Sequence, residues 1–272
     1  MQIPTATDAI PKKRFLRDIA ERYPIAFSIL LVPALFGLLF PFRMLREALS
    51  STVPIYILQT IALTIEGIVV ATILILLGWW RESGFNKPAQ WRCLYLYWIL
   101  TPLIVPVLLY ILVIGPKINK PILIFCSAWL TVFIGFSEES LFRGIILHTL
   151  KRYGTIISVL SSSFLFSLIH IANLLSGFSW NFISLQLYVA FSLGVLFGAL
   201  RIRTGTIWLV IFIHSLIDFI GLIANDQLNW TGTGGMPTIT PQMFIGVAVI
   251  YTLFILIGLF LLRPRKLDLL PN

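Results

Sequence analysis

The sequence predicts an all-α, polytopic membrane protein with about eight transmembrane helices. Hydrophobic residues make up 58% of the 272-residue chain, only 11% is charged, and the mean hydropathy is +0.95. Soluble domains are nearer half apolar and a quarter charged, so this chain has too little charge to cover a hydrated surface. Several apolar stretches are long enough to cross a bilayer, and Lys and Arg concentrate in alternate connectors between them.

The apolar stretches fit the roughly 17–25 residues that cross a hydrocarbon core at about 1.5 Å per residue. The second and the fourth are longer and contain charged residues, so we expect them to tilt or to extend beyond the bilayer. The predicted spans lie near residues 25–42, 54–80, 94–114, 121–150, 155–175, 181–200, 205–224 and 242–262.

The distribution of basic residues predicts how the spans are oriented in the membrane. With a cytoplasmic N-terminus, sixteen of the twenty Lys and Arg residues fall on the inner side, as the positive-inside rule requires. Both termini are therefore expected in the cytoplasm. Because the net charge of +9 arises from these short connectors, we expect no nucleic-acid partner. The first apolar run is too long, and begins too far into the chain, to be a cleavable signal peptide.

Ionisable residues inside predicted spans are the candidates for function, since each costs about 2.5–3.5 kcal/mol to insert. They gather in the second half of the chain, and Glu66 is the exception. The others are Glu138, Glu139 and Arg143 in the fourth span, His170 in the fifth, and His214 and Asp218 in the seventh.

The two adjacent glutamates point about 100° apart on a helix and need not share a role. Glu139 and Arg143 have the i, i+4 spacing of an ion pair, which leaves Glu138 free to act as a general base. Taken alone, the Glu139–Arg143 pair is more often structural.

His214 and Asp218 also have i, i+4 spacing. The carboxylate either fixes the imidazole tautomer, or both side chains point into one cavity. His170 either belongs to the same cavity or bonds a neighbouring carbonyl group. Glu66 has no evident partner, and a structural, relay or catalytic role is open for it.

Three short motifs lie on separate spans in a recognisable order. Residues 138–143 read EExxxR, Phe166 to His170 read FxxxH, and His214 to Asp218 read HxxxD. This set resembles the CPBP family of intramembrane proteases, which includes type II CAAX prenyl endopeptidases and bacterial Abi proteins. The resemblance covers about residues 120–224.

The resemblance implies a helical membrane endopeptidase. Glu138, assisted by His170, would activate the attacking water. His214 and Asp218 would stabilise the oxyanion or orient the water, and Glu139 and Arg143 would support the site.

Asp218 departs from the eukaryotic prenyl proteases, which carry Asn there. An aspartate makes a zinc set of His170, His214 and Glu138 or Asp218 an alternative, since zinc accepts two His and one carboxylate. No HExxH spacing is present, and we favour the metal-free glutamate mechanism, without a cofactor, over a metalloprotease.

We therefore divide the chain into a cytoplasmic segment (1–24), N-terminal helices (25–119), a CPBP-like catalytic core (120–224), and an outer loop with the last helix (225–272). The expected protein is an integral membrane protein (of the cell membrane in a bacterium) with membrane lipids and a membrane-associated or lipidated peptide as partners. Two alternatives stay open: a proton-coupled transporter using Glu66, Glu138 and Asp218, and a non-catalytic immunity or scaffold protein.

Overall fold

The computed structural model describes residues 15–49, 53–87, 91–113, 121–224 and 239–263. These residues contain helices and no strand, which confirms the all-α prediction. The predicted outer loop lies outside the described residues from 225 to 238. In chain order the α-helices are α1 (Phe15–Arg22), α2 (Pro24–Leu49), α3 (Ile55–Leu77), α4 (Thr101–Val113), α5 (Pro121–Glu139), α6 (Leu147–Leu150), α7 (Thr155–Ile169), α8 (Trp180–Thr204), α9 (Trp208–Ala224) and α10 (Pro241–Leu261).

Helical segments occupy all eight predicted spans. The third span begins as the 3-10 helix Trp91–Leu100 and continues as α4. Pro24–Leu35 and Trp208–Leu222 are shorter apolar helices. Among the described residues, five helices are long and apolar enough to cross a membrane: Tyr56–Leu77, Pro121–Tyr153, Thr155–Leu175, Trp180–Thr204 and Pro241–Leu261.

A helical hairpin around Gly154 forms the centre of the fold. Its first arm is 33 residues long, about 50 Å at 1.5 Å per residue, which exceeds the bilayer core as expected. Gly154 has a φ of 97° and is the one residue between Tyr153 and Thr155, where the second arm starts. Glu138 lies sixteen residues before Gly154 and His170 sixteen after it.

The hairpin also sets how far along the bundle Glu138 and His170 lie. Because the first arm continues to Tyr153 and the second starts at Thr155, both residues are equally far along the chain from the turn.

The second arm packs against α8 along a line of small residues. A Cβ added at Gly194 would lie 2.8 Å from Ser163 Cβ, and one at Gly198 would lie 3.0 Å from Val159 Cγ1. Ser162 donates a hydrogen bond of 2.6 Å to the carbonyl of Phe142, which joins the two arms. Small side chains thus let the helix backbones approach closely, as is common in membrane bundles.

Basic connectors that the sequence assigns to the inner side lie together at one end of the bundle. Arg201 Nη2 donates to the carbonyl of Glu82 at 2.5 Å, and the amide of Ile207 donates to the carbonyl of Gly84 at 2.8 Å. Arg203 donates to the carbonyls of Leu261 and Arg263. Which side of the membrane this end faces stays a prediction from charge.

Candidate active site

The two glutamates of the first motif stand where α5 changes its winding. The π-helix Ser140–Ile146 follows directly, and the chain returns to an α-helix at Leu147. Short π-segments inside α-helices are rare and frequently mark functional sites. Nothing in the local sequence indicates this change, because no proline or glycine pair stands at its start.

Glu139 links two helices through one carboxylate oxygen. Its side chain is 0% exposed, and Oε1 lies 3.0 Å from Arg143 Nη1, which is the expected ion pair. The same oxygen lies 2.6 Å from His214 Nδ1 on α9. Because an ionised carboxylate only accepts hydrogen bonds, His214 donates from Nδ1, and Glu139 fixes its tautomer. We had considered Asp218 for that task.

The other nitrogen of His214 faces two further carboxylates. Nε2 lies 3.6 Å from Glu138 Oε2 and 3.5 Å from Asp218 Oδ2. The side chains of Glu138 and Asp218 are 22% and 31% exposed, in contrast to Glu139. The Glu138 and Asp218 carboxylates therefore meet at one nitrogen of His214, and both are partly exposed, whereas the Glu139 carboxylate is buried.

His170 lies beside this cluster without a polar bond to it. Its Nδ1 lies 3.1 Å from the carbonyl oxygen of Phe166, and since a carbonyl only accepts, Nδ1 donates. The lone pair of Nε2 is then left to accept a proton. Among the described residues, no hydrogen bond or ion pair joins His170 to Glu138, His214 or Asp218.

The ring of Phe166 fills the space between the charged groups. Its centroid lies 5.2 Å from that of His170, 6.0 Å from that of His214, and 4.1 Å from Arg143 Cζ. An arginine over an aromatic face gains a cation–π interaction, which is stronger when the pair is desolvated. Phe166 was part of the second motif, but the sequence assigned no role to it.

A close contact between α5 and α9 brings Glu139 and His214 together. A Cβ added at Gly135, one turn before Glu139, would clash with Ser215 Oγ and lie 2.9 Å from the carbonyl oxygen of Ile211. Sequence reasoning missed both Gly135 and Ser215. The available signal was a small residue one turn from a motif glutamate, and another adjacent to the motif histidine.

Glu66 approaches the same site from α3. Its carboxyl group lies near enough to Ser137 and Glu138 to interact electrostatically with both. Two contacts hold α3 against α5 here: Trp129 Nε1 donates to Thr64 Oγ1 at 3.0 Å, and Gly67 lies under the ring of Phe133. Glu66, an acidic span residue outside the motifs, therefore lies near the first motif in space.

The candidate metal ligands come from three helical segments. Zinc needs three or four donors at about 2.0–2.3 Å around one point. His214 and His170 each use Nδ1 for a hydrogen bond and keep Nε2 available, as metal-binding histidines also do. Within the described part of the chain, no group of three or more His, Cys, Asp or Glu residues is arranged to hold a metal. We derive no step through a metal.

Fold and site together define a polytopic helical membrane protein with a centre of histidines and carboxylates in its interior. Residues 119–220 match a family model described as Type II CAAX prenyl endopeptidase Rce1-like. This match confirms the resemblance to the CPBP and CAAX protease family, and it covers all three motifs. The family implies a protease. Searches of curated proteins and of solved structures gave no match.

Proposed function

We propose that the chain is an intramembrane endopeptidase that hydrolyses a peptide bond of a membrane-associated, prenylated peptide. The family match supports both the reaction and the substrate class. One observation carries the proposal: Glu138 and Asp218 approach the same nitrogen of His214, at 3.6 and 3.5 Å, with both carboxylates partly exposed. A candidate base, Glu138, thus lies beside a candidate donor, His214, at a partly exposed site where a water could bind.

Glu138 is the proposed general base. A general base must reach the proton that it removes directly or through one water. Of the two adjacent glutamates only Glu138 is partly exposed, because Glu139 is buried against Arg143 and His214. His170 assists by accepting a hydrogen bond from the same water at Nε2, the nitrogen that Phe166 leaves free.

The reaction proceeds by addition and elimination. The water oxygen bonds to the scissile carbonyl carbon while its proton passes to Glu138, giving a tetrahedral oxyanion. Glu138 then delivers that proton to the amide nitrogen as the C–N bond breaks, which releases a carboxylic acid and an amine; the acid's proton then passes to the amine, giving carboxylate and ammonium. This is the same side chain acting first as base and then as acid.

His214 and Asp218 are the proposed partners of the oxyanion. Glu139 accepts the hydrogen bond from His214 Nδ1, so His214 directs Nε2 toward Glu138 and Asp218. His214 donates from Nε2 when the ring carries both protons. Asp218 donates only in its protonated form. Fixed donors directed at developing charge are among the largest contributions to catalysis.

Peptidase kinetics in proteoliposomes test the proposal, with a fluorogenic peptide bearing a prenylated CAAX tail. Glu138→Gln and His170→Ala should each lose at least a hundredfold in kcat, in the range of lost acid–base catalysis. Glu82→Gln is the matched control, because Glu82 is exposed at the basic end of the bundle. Activity that survives in Glu138→Gln protein would refute this role.

A proton-coupled transporter remains a second candidate because of one observation. Glu138 on α5 and Asp218 on α9 approach the same nitrogen of His214, and Glu66 on α3 interacts electrostatically with Glu138, so the three acids extend across three helices as in a proton relay. A pH-sensitive dye inside proteoliposomes distinguishes the two. Proton uptake that Glu66→Gln abolishes, in vesicles that cut no peptide, would favour the transporter.

A further inference from the structure

Two amide side chains lie beside the proposed centre without belonging to its motifs. Asn173 Nδ2 donates to Gln186 Oε1 at 3.0 Å and joins the 3-10 helix His170–Ser176 to α8. Polar side chains within a span are costly and therefore candidates for function. Both residues are half-buried.

The helix type places Asn173 in line with His170. A 3-10 helix has three residues per turn, so the side chains at i and i+3 eclipse, and its rise of about 2.0 Å per residue separates them by about 6 Å along the axis. Gln186 continues the line of contacts that runs along α8 through Gly198 and Gly194. The amide pair therefore lies one 3-10 turn beyond His170, on the side away from Gly154.

The pair retains hydrogen-bonding groups after its mutual bond. One donor of Asn173 and one acceptor site of Gln186 are used, which leaves Asn173 Oδ1, a second Asn173 N–H and both N–H groups of Gln186. Asn173 Oδ1 and Gln186 Nε2 are not among the fully buried unpaired atoms of the described residues, so one acceptor and one donor nitrogen face accessible space. Donors and an acceptor side by side match the N–H and C=O groups of a peptide backbone.

We propose that Asn173 and Gln186 bind the main chain of the peptide substrate about two residues from the scissile bond. An extended peptide advances about 3.3 Å per residue, so two residues span the offset of about 6 Å from His170. The inference rests on the proposed function, since it takes the scissile bond to lie at Glu138 and His170. Backbone recognition of this kind holds many sequences, while side-chain contacts elsewhere select among them.

A purely structural hydrogen bond is the competing explanation, and Tyr188→Phe is its matched control. Tyr188 lies on α8 two residues after Gln186, and its hydroxyl bonds Thr252 Oγ1 on α10 at 2.5 Å. The same hydroxyl donates to the carbonyl of Ala248 on α10 at 3.4 Å, so Tyr188→Phe removes the hydrogen bonds that join α8 to α10 on another face. A structural role predicts the same loss of Tm for Tyr188→Phe as for Gln186→Ala, with KM unchanged in both.

The test compares kinetics with the fluorogenic prenylated peptide and with analogues in which one backbone amide at a time is an ester. We expect Asn173→Ala and Gln186→Ala to raise KM about three- to tenfold, as a lost hydrogen bond would, and to change kcat less than twofold. One ester position should weaken wild type by a similar factor and add nothing in Asn173→Ala, because Asn173 Oδ1 is the acceptor for the backbone N–H that the ester lacks. Equal ester effects in both proteins, or unchanged KM, would overturn the proposal.

A binding measurement separates this inference from the proposed function. Fluorescence anisotropy of the same labelled peptide with Glu138→Gln protein gives a Kd that needs no cleavage. If wild type cuts nothing but Kd rises three- to tenfold when Gln186→Ala is added, the amide subsite stands and the peptidase assignment fails. If Kd is unaffected by Gln186→Ala, the subsite is refuted whether or not wild type is active.

Discussion

Replacing Gly135 by Ala tests whether the close approach of α5 and α9 sets the geometry of the site. The new methyl group would lie 2.9 Å from the carbonyl oxygen of Ile211, whereas ordinary contacts begin at 3.4 Å. The Ser215 hydroxyl could rotate away, but a backbone carbonyl moves only with its helix. α9 must therefore shift by about 0.5 Å, the difference between those two distances.

That shift has two consequences of different size. Overpacking costs about 1–3 kcal/mol, and part of it is offset by the helix propensity that Ala gains over Gly, about 1 kcal/mol. Moving His214 away from Glu139 by about 0.5 Å turns a 2.6 Å bond into one near 3.1 Å and displaces Nε2 from Glu138. Since a misplacement of about 1 Å can cost a hundredfold in rate, we expect about a tenfold loss in kcat.

Peptide cleavage and thermal unfolding in detergent, measured on the same preparations, check this expectation. Gly246→Ala is the matched control, since a Cβ on that α10 residue would meet nothing within 4 Å. Gly135→Ala should lose activity out of proportion to its change in Tm, and Gly246→Ala should change neither by much. If the Gly135→Ala protein kept the kcat of the wild type, the contact between Gly135 and α9 would not position His214.

The remaining predictions concern the groups around His214. Glu139→Gln leaves the guanidinium of Arg143 buried without its counter-charge, so we expect about 3–5 kcal/mol lower stability by thermal unfolding; an unchanged Tm would contradict the ion pair. Glu66→Gln should keep peptidase kcat within about threefold, because Glu66 acts on Glu138 through charge and not through a direct bond; complete loss would make Glu66 part of the chemistry. Dialysis against a zinc chelator should leave kcat unchanged, since no three His, Cys, Asp or Glu side chains of the described residues are arranged to hold a metal; loss restored by added zinc would establish a metal enzyme.

Sequence alone predicted the features that local rules determine. Apolar length located the helices, while the orientation assigned from charge stays a prediction. The i, i+4 spacing predicted the contact of Glu139 with Arg143 and that of Asp218 with His214, because both pairs share one helix face. Such features need no knowledge of which helices are neighbours.

Features that depend on helix neighbours were not predictable. The Glu139–His214 bond joins residues 75 positions apart and requires the approach at Gly135. Glu66 lacked a partner in sequence because α3 and α5 meet only in the folded bundle. The π-helix after Glu139 and the 3-10 helix at His170 both depart from the regular helix that apolar composition implies.

The different environments of Glu138 and Glu139 explain why two adjacent acids take different tasks. Consecutive helical residues point about 100° apart, so one side chain can lie in the contact of α5 with α9 while the next lies at the partly exposed site beside Asp218. Glu139 faces α9, is fully buried, and uses its oxygen to hold Arg143 and His214. Glu138 stays partly exposed and is held by no strong bond among the described residues, so it keeps the freedom that a proton carrier needs. An exchange of their roles would require α5 to rotate by about a quarter turn, which the contact at Gly135 prevents.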